Sequence, residues 1–342
     1  MTLGESLEGR NNALNALRLL FAVLVIASHS FALTGRHEPS YVGVPLGGWA
    51  VAGFFAISGY LISRARLHTD LATFLLRRGR RIYPAFWTCC AVIAFCFSPL
   101  AAHLTGSPYD PRTGAGYVVL NATTSMQQVI IGTETFGAPP TLIMWNGSAW
   151  TLAFEITCYL IIGAALTVTL VRKHHIIAAV CAYAIGGTTA IVTDSQQGLA
   201  WFVALFAAGW IVSTRSRQLT ATKATTAIAL LFALGAAQIH PVLAALPLSY
   251  AVLGAGALLP SRWFTTNDIS YGTYLYGWPI QQLLLIAELD ELGLFVFIAA
   301  AISLSLAAGA VSWFLLERRC LPKRRSIVTS PTLAPQSITQ PA

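Results

Sequence analysis

The sequence predicts an all-α, polytopic membrane helix bundle of about ten transmembrane helices with cytoplasmic N- and C-termini, and three observations carry that expectation. Of the 342 residues, 56% are hydrophobic and only 10% charged, where a soluble domain carries roughly a quarter charged residues. The apolar residues form long blocks rather than a helical or alternating stripe, and mean hydropathy is +0.65; such blocks mark segments whose solvent is lipid. The formal charge of +8 sits almost wholly in short connections between the blocks. That pattern fits topology determinants and excludes a nucleic-acid partner.

Spans are expected at 14–33, 46–62, 84–105, 147–171, 175–192, 198–213, 223–239, 242–259, 270–288 and 293–316. A polar stretch precedes the first block and no small-x-small cleavage site follows it, so the first span is retained. Segment 117–131 is interrupted by Asn121, Gln127 and Gln128 and is expected as a re-entrant or interfacial piece rather than a span. With the N-terminus inside, Arg10, Arg64, Arg66, Arg77, Arg78, Arg80, Arg81, Arg172, Lys173, Arg215, Arg217, Lys223, Arg262 and the group from Arg318 to Arg325 fall in the cytoplasm. The outer connections keep only Arg36 and Arg112, against Glu38, Asp110, Glu134, Asp194, Glu288, Asp290 and Glu291. This is the positive-inside pattern at every connection. Residues 1–325 are read as one membrane domain and 326–342, rich in Ser, Thr, Pro and Gln, as a disordered cytoplasmic tail. The cysteines Cys89, Cys90, Cys96, Cys158, Cys181 and Cys320 lack metal-ligand spacing and are read as packing residues; no metal is expected.

Ionisable residues inside spans are costly, so each is a functional candidate. Arg18 and His29 share the first span; eleven helical steps return nearly to the starting direction and separate them by roughly 16 Å along the axis. Arg18 therefore lies near the cytoplasmic surface, where snorkelling is the plain alternative. His29 lies near the outer end, where an interhelical hydrogen bond is the plain alternative. Glu155 enters the membrane with the fourth span from outside and comes out at similar depth to His29. A histidine beside a carboxylate suits a general base, and contact between the two is expected from depth alone. Arg77, Arg78, Arg80 and Arg81 crowd a loop ending at Pro84; the cluster is either a topology anchor or a phosphate site, since the guanidinium fork matches phosphate geometry. Ser58-Gly59 in the second span permits close helix approach. In the ninth, Tyr271, Tyr274 and Trp278 stand ready to line a polar cavity, and Pro279 bends the helix or frees a backbone carbonyl.

Taken in order, these segments resemble the integral-membrane acyltransferase 3 family, the bacterial polysaccharide and lipopolysaccharide O-acyltransferase type. The resemblance rests on Arg18-x(10)-His29, Phe54-Phe55-x-x-Ser58-Gly59-x-Leu61-Ile62, Arg77-Arg78-x-x-Arg81-Ile82-x-Pro84, Trp150-x-Leu152-x-x-Glu155, Ser270-Tyr271-x-x-Tyr274-Leu275-x-x-x-Pro279 and Glu317 after the final span. It implies a multi-pass bacterial inner-membrane enzyme that moves an acyl group, usually acetyl from acetyl-CoA entering from the cytoplasm. The acceptor is a hydroxyl of an exported saccharide or glycolipid. The resemblance further implies that His29 is catalytic with Arg18 essential beside it, and that Arg77, Arg78 and Arg81 hold the donor's phosphates. Glu155 joins the catalytic group through its expected contact with His29; Trp150, Tyr271, Tyr274, Trp278 and Ser58 are expected around the substrates, with Tyr274, Trp278 or Ser58 as oxyanion donor. Many relatives carry a histidine where this chain has Gly277. The rival reading is a proton-coupled transporter or flippase with His29, Arg18 and Glu155 as a relay; the lack of an internal repeat argues against it.

Overall fold

A computed structural model describes residues 2–8, 12–132, 143–259, 264 and 266–321, and the described chain is almost entirely helical. A short helix α1 (Leu3–Glu8) precedes α2 (Leu14–Leu33), α3 (Leu46–Leu67) and α4 (Leu71–Val92), which runs through a π turn (Ile93–Phe97) into α5 (Ser98–Thr105). Then come α6 (Pro111–Leu120), α7 (Trp150–Ala165), α8 (Thr169–Lys173), α9 (His175–Thr193), α10 (Leu199–Arg215), α11 (Lys223–Ile239), α12 (Ala245–Leu258), α13 (Ser270–Ile286) and α14 (Leu294–Ser312), the last extended by a π turn (Trp313–Glu317). Each expected interval thus holds a helix. Among the described residues, six helical runs are long and apolar enough to cross a membrane: Leu14–Leu33, Leu46–Leu67, Leu71–Thr105, His175–Thr193, Pro241–Leu258 and Leu294–Cys320. Trp150–Ala165, Leu199–Arg215 and Lys223–Ile239 are apolar but shorter. The architecture is a multi-pass helical membrane bundle.

The burial pattern separates an inner helix from outer ones. Every residue of α13 from Ser270 to Gln282 is buried, so its tyrosines, glutamines and Trp278 face protein rather than lipid, which is where polar groups in a membrane belong. It packs on α2 and α14. By contrast, α9 and α11 expose Ile185, Val192, Leu231, Phe232 and Ile239, the apolar surface that lipid would cover.

Two expectations need correction. The third span was expected from Pro84, but its helix begins at Leu71 because Asp70 caps it, accepting the Thr73 amide at 2.8 Å. The four arginines therefore stand on a helix rather than in a loop, with Pro84 inside it. Glu317, expected after the last span, lies within the helical run ending at Cys320. In segment 117–131 the polar residues fold back on themselves. Asn121 accepts the Gln127 and Gln128 amides at 2.8 and 3.1 Å and donates to the Gln128 carbonyl at 2.7 Å, so α6 stops there instead of crossing.

The rims gather residues that the charge pattern assigned to one side. At one end Glu8 pairs with Arg64 and with Arg217, Arg172 donates to the Leu67 carbonyl, and the Leu3 amide bonds Leu219 at 2.8 Å. At the other end Tyr41 donates to the Leu234 carbonyl at 2.9 Å and accepts from Gln238 at 2.7 Å. Arg10, Glu134, Arg262, the basic group beyond Leu321 and the tail 326–342 lie outside the described residues. All six cysteines are free thiols.

Helices α3 and α10 touch backbone to backbone. A Cβ at Gly59 would stand 2.0 Å from the Phe206 carbonyl oxygen, and one at Gly209 would stand 2.1 Å from that of Ala56. Only glycine fits at this crossing. Gly59→Ala is expected to lower stability by about 1–3 kcal/mol through overpacking, read as a lower melting temperature in detergent. Gly235→Ala, where nothing lies within 4 Å, should leave it unchanged or raise it. Equal melting of both variants and wild type would refute the close crossing.

Candidate active site

Helix α2 carries the two ionisable candidates, Arg18 and His29, toward its opposite ends, on one face as their spacing requires, and each opens into a different space. His29 lines a cavity of about 730 Å³ with Glu38, Asn146, Trp150, Trp201 and Trp278 among its walls. Arg18 lines a slot of about 40 Å³ with Phe54, Glu155 and Tyr271. Val51, Thr151 and Tyr274 border both spaces. The Tyr274 hydroxyl donates to the Ser148 carbonyl at 2.7 Å and shares a 2.6 Å bond with the Thr151 hydroxyl. The bonded pair thus stands where the two spaces adjoin.

His29 packs edge-on against Trp278, centroids 4.9 Å apart, and has no hydrogen-bond partner among the described residues. Its ring nitrogens are left to whatever enters the chamber. Trp278 is itself fixed, since its indole N–H donates to the Met144 carbonyl at 2.8 Å. The expected contact of His29 with Glu155 is not made: Glu155 accepts instead from Ser58 at 3.0 Å and from Tyr159, one helical turn below Thr151. Glu155 instead shares the slot of Arg18, at the opposite end of α2 from His29, so the two do not lie at the same depth.

The cluster around Arg18 contains a residue that the sequence reading missed. Asp268 accepts from Arg18 at 2.9 Å and from Arg81 at 2.6 Å; Arg81 also donates to Glu317 at 2.9 Å. Ser270 donates to Asp268 and Ser312 to Glu317. Glu317 is 2% exposed and Asp268 10%. Two cations and two carboxylates thus neutralise one another out of water, where an unpaired charge would be prohibitive. Burial works to raise the Asp268 carboxyl, but Arg18, Arg81 and the Ser270 hydrogen bonds outweigh it and hold it below the usual carboxylate range. Its sign was the available signal, an acid just ahead of Ser270-Tyr271 on a side otherwise crowded with arginine.

The arginines of α4 divide by role. Arg81 is committed to carboxylates and lies over the rings of Tyr271 and Trp313, 5.6 Å from each centroid. Arg77 and Arg80 are exposed. Arg78 keeps a buried Nε with no partner among the described residues, and lies within electrostatic reach of Tyr159, Arg81, Arg18 and Glu155. Of the residues expected around substrate, Trp150, Tyr274 and Trp278 line the outer chamber with His29. Tyr271 lies in the inner slot and donates to the Ile82 carbonyl at 3.0 Å. Ser58 borders neither space and is engaged by Glu155.

Two details explain α13. Pro279 has no amide hydrogen for the Leu275 carbonyl four residues back, and Cys89 Sγ supplies a donor there at 3.6 Å. At Gly277 a Cβ would meet Ile26 of α2 at 2.7 Å, so a side chain at this position requires the two helices to part.

A multi-pass helical membrane protein whose interior holds a free histidine, an orphaned arginine and a neutralised charge cluster has the makings of an enzyme built inside the bilayer. The family model for the acyltransferase domain matches residues 11–317, and the chain belongs to that family. It is 27% identical over 340 residues, 92% of this chain and 97% of the relative, to a protein of Shigella phage Sf6 named O-acetyl transferase. No solved structure matches it.

Asp268→Asn leaves two buried guanidinium groups short of one charge and is expected to cost about 3–5 kcal/mol, measured by chemical unfolding in micelles. The carboxyl is depressed in the fold, so this contribution is full above the unfolded aspartate value of about 4 and is lost as pH falls through the lower folded value. Unfolding that is as easy in the wild type as in the variant between pH 5 and 8 would contradict the cluster's role.

Proposed function

We propose that the protein is an O-acyltransferase moving an acetyl or related acyl group from acyl-CoA to a hydroxyl of an exported saccharide or glycolipid. Ten helices would span the bacterial inner membrane, with both termini cytoplasmic, in keeping with the positive-inside pattern. The observation that carries this reading is His29: a ring without a hydrogen-bond partner among the described residues, opening on the larger chamber. Membership of the acyltransferase family and likeness to a protein named O-acetyl transferase support it.

The donor would enter at the arginine-rich end. Arg78, with its unpartnered Nε, and the exposed Arg77 are the natural ligands for its phosphates; Arg81 serves by holding Asp268 and Glu317. The pantetheine arm would run toward His29 once the Thr151–Tyr274 bond parts. His29 then takes the proton of the acceptor hydroxyl as its oxygen bonds to the thioester carbonyl carbon. The carbon–sulfur bond breaks, and the departing thiolate recovers the proton from the imidazolium. Tyr274, Trp278 and Ser58 already donate elsewhere. Asn146 is the better oxyanion donor: its carbonyl accepts from Ser148 at 3.2 Å, while its amide N–H has only a sulfur at 4.0 Å and the residue borders the chamber.

The test is transfer of labelled acetyl from acetyl-CoA into glycan by membranes carrying each variant. His29→Ala should lose roughly a hundredfold to ten-thousandfold in turnover. Arg78→Ala should raise the donor KM roughly tenfold or more and spare turnover at saturation. Full transfer by His29→Ala would remove the proposed base.

A further inference from the structure

The outer chamber states what kind of sugar it admits, given the saccharide acyltransferase reading on which this inference rests. Its walls combine the indoles of Trp150, Trp201 and Trp278 with the amides of Gln196 and Gln197, flat apolar faces beside groups able both to donate and to accept. This is the mixture that grips a polyol. Its charge content is more specific. Among the described residues that line it there is no arginine and no lysine, and one carboxyl, that of Glu38.

Glu38 is held in place. Ser28, fully buried and next to His29 in the chain, donates to Glu38 Oε2 at 3.1 Å and accepts the Gly47 amide at 2.9 Å. One hydroxyl thereby ties the carboxyl to both α2 and the start of α3. No cation lies within ion-pair distance of Glu38 among the described residues, so it has no structural counter-charge to hold. Burial pushes this carboxyl up, the Ser28 hydrogen bond opposing; an anion brought alongside would push it further.

We propose that Glu38 is the specificity-determining residue of the acceptor subsite, accepting hydrogen bonds from sugar hydroxyls, and that the sugar acylated is uncharged. A uronic acid, sialic acid or phosphorylated sugar would bury its anion beside Glu38 with no cation to meet it, which is strongly unfavourable. A neutral sugar offers hydroxyl donors to an acceptor-only carboxylate, and an ionised partner makes such bonds the stronger kind.

The experiment supplies labelled acetyl-CoA and the envelope glycans of the producing cell to membranes containing wild type, Glu38→Gln or Glu38→Asp. The residue that carries label is then located by tandem mass spectrometry. Wild type should label a neutral hexose or deoxyhexose. Glu38→Gln, which keeps the Ser28 contact, should lower kcat/KM for that acceptor about tenfold through KM and begin to label acidic residues, while Glu38→Asp keeps the wild-type preference. Label on an acidic sugar with wild type, or an unchanged kcat/KM with Glu38→Gln, overturns the proposal. Label in no glycan at all with wild type overturns the saccharide reading itself, and the inference falls with it.

Discussion

The interior is organised by the need to pair buried charge. Arg18 on α2, Arg81 on α4, Asp268 ahead of α13 and Glu317 at the end of α14 form one chain of ion pairs. No two of them are close in sequence, so the cluster fixes the relative position of four elements that lipid alone would not order. Apolar packing between membrane helices has little hydrophobic driving force, and directional contacts of this kind supply register. The cost of leaving any member unpaired is what makes the arrangement stiff.

That stiffness has a consequence for the rest of the site. With Arg81 and Arg18 held by carboxylates, Arg78 is left as the buried guanidinium group with an unpartnered nitrogen among the described residues, and the face that a phosphate would meet is narrowed to it and Arg77. On α2, the same anchoring at Arg18 sets the rotation that turns His29 into the outer chamber. The two spaces share Val51, Thr151 and Tyr274 among their walls, and Thr151 and Tyr274 are joined by a hydrogen bond. A hydroxyl–hydroxyl bond is weaker than an ion pair, so the wall the two spaces share is held less firmly than the charged inner end.

The bundle was legible because lipid imposes a coarse rule: long apolar blocks and basic connections need no knowledge of packing. The Ser58-Gly59 segment was legible for a related reason, since small residues mark close crossings, and Gly59 does lie against α10. Boundaries were less so. Pro84 resembles a helix start, yet the Asp70 cap lies further upstream and sets the true one. Depth along a helix was also readable and brought out Arg18 and His29 on one face. Relative depth between two helices was not, and Glu155, placed level with His29, lies in the slot of Arg18. Asp268 escaped because it lies outside any span, where an acid is unremarked until its two arginine partners from distant segments are seen around it. Asn146 escaped for a similar reason: nothing in a sequence tells an amide aimed into a cavity from one spent on backbone.

In the proposed reaction, donor and acceptor reach His29 from opposite ends of the bundle. The most direct measurement uses sealed membrane vesicles of known orientation and acetyl-CoA, which does not cross the bilayer, added only to the outside. Inverted vesicles, with their cytoplasmic face outward and acceptor glycan enclosed, should acquire labelled glycan in the lumen. Right-side-out vesicles should not until they are permeabilised. Equal labelling by sealed vesicles of both orientations, or labelling only when donor and acceptor share a side, would contradict the account.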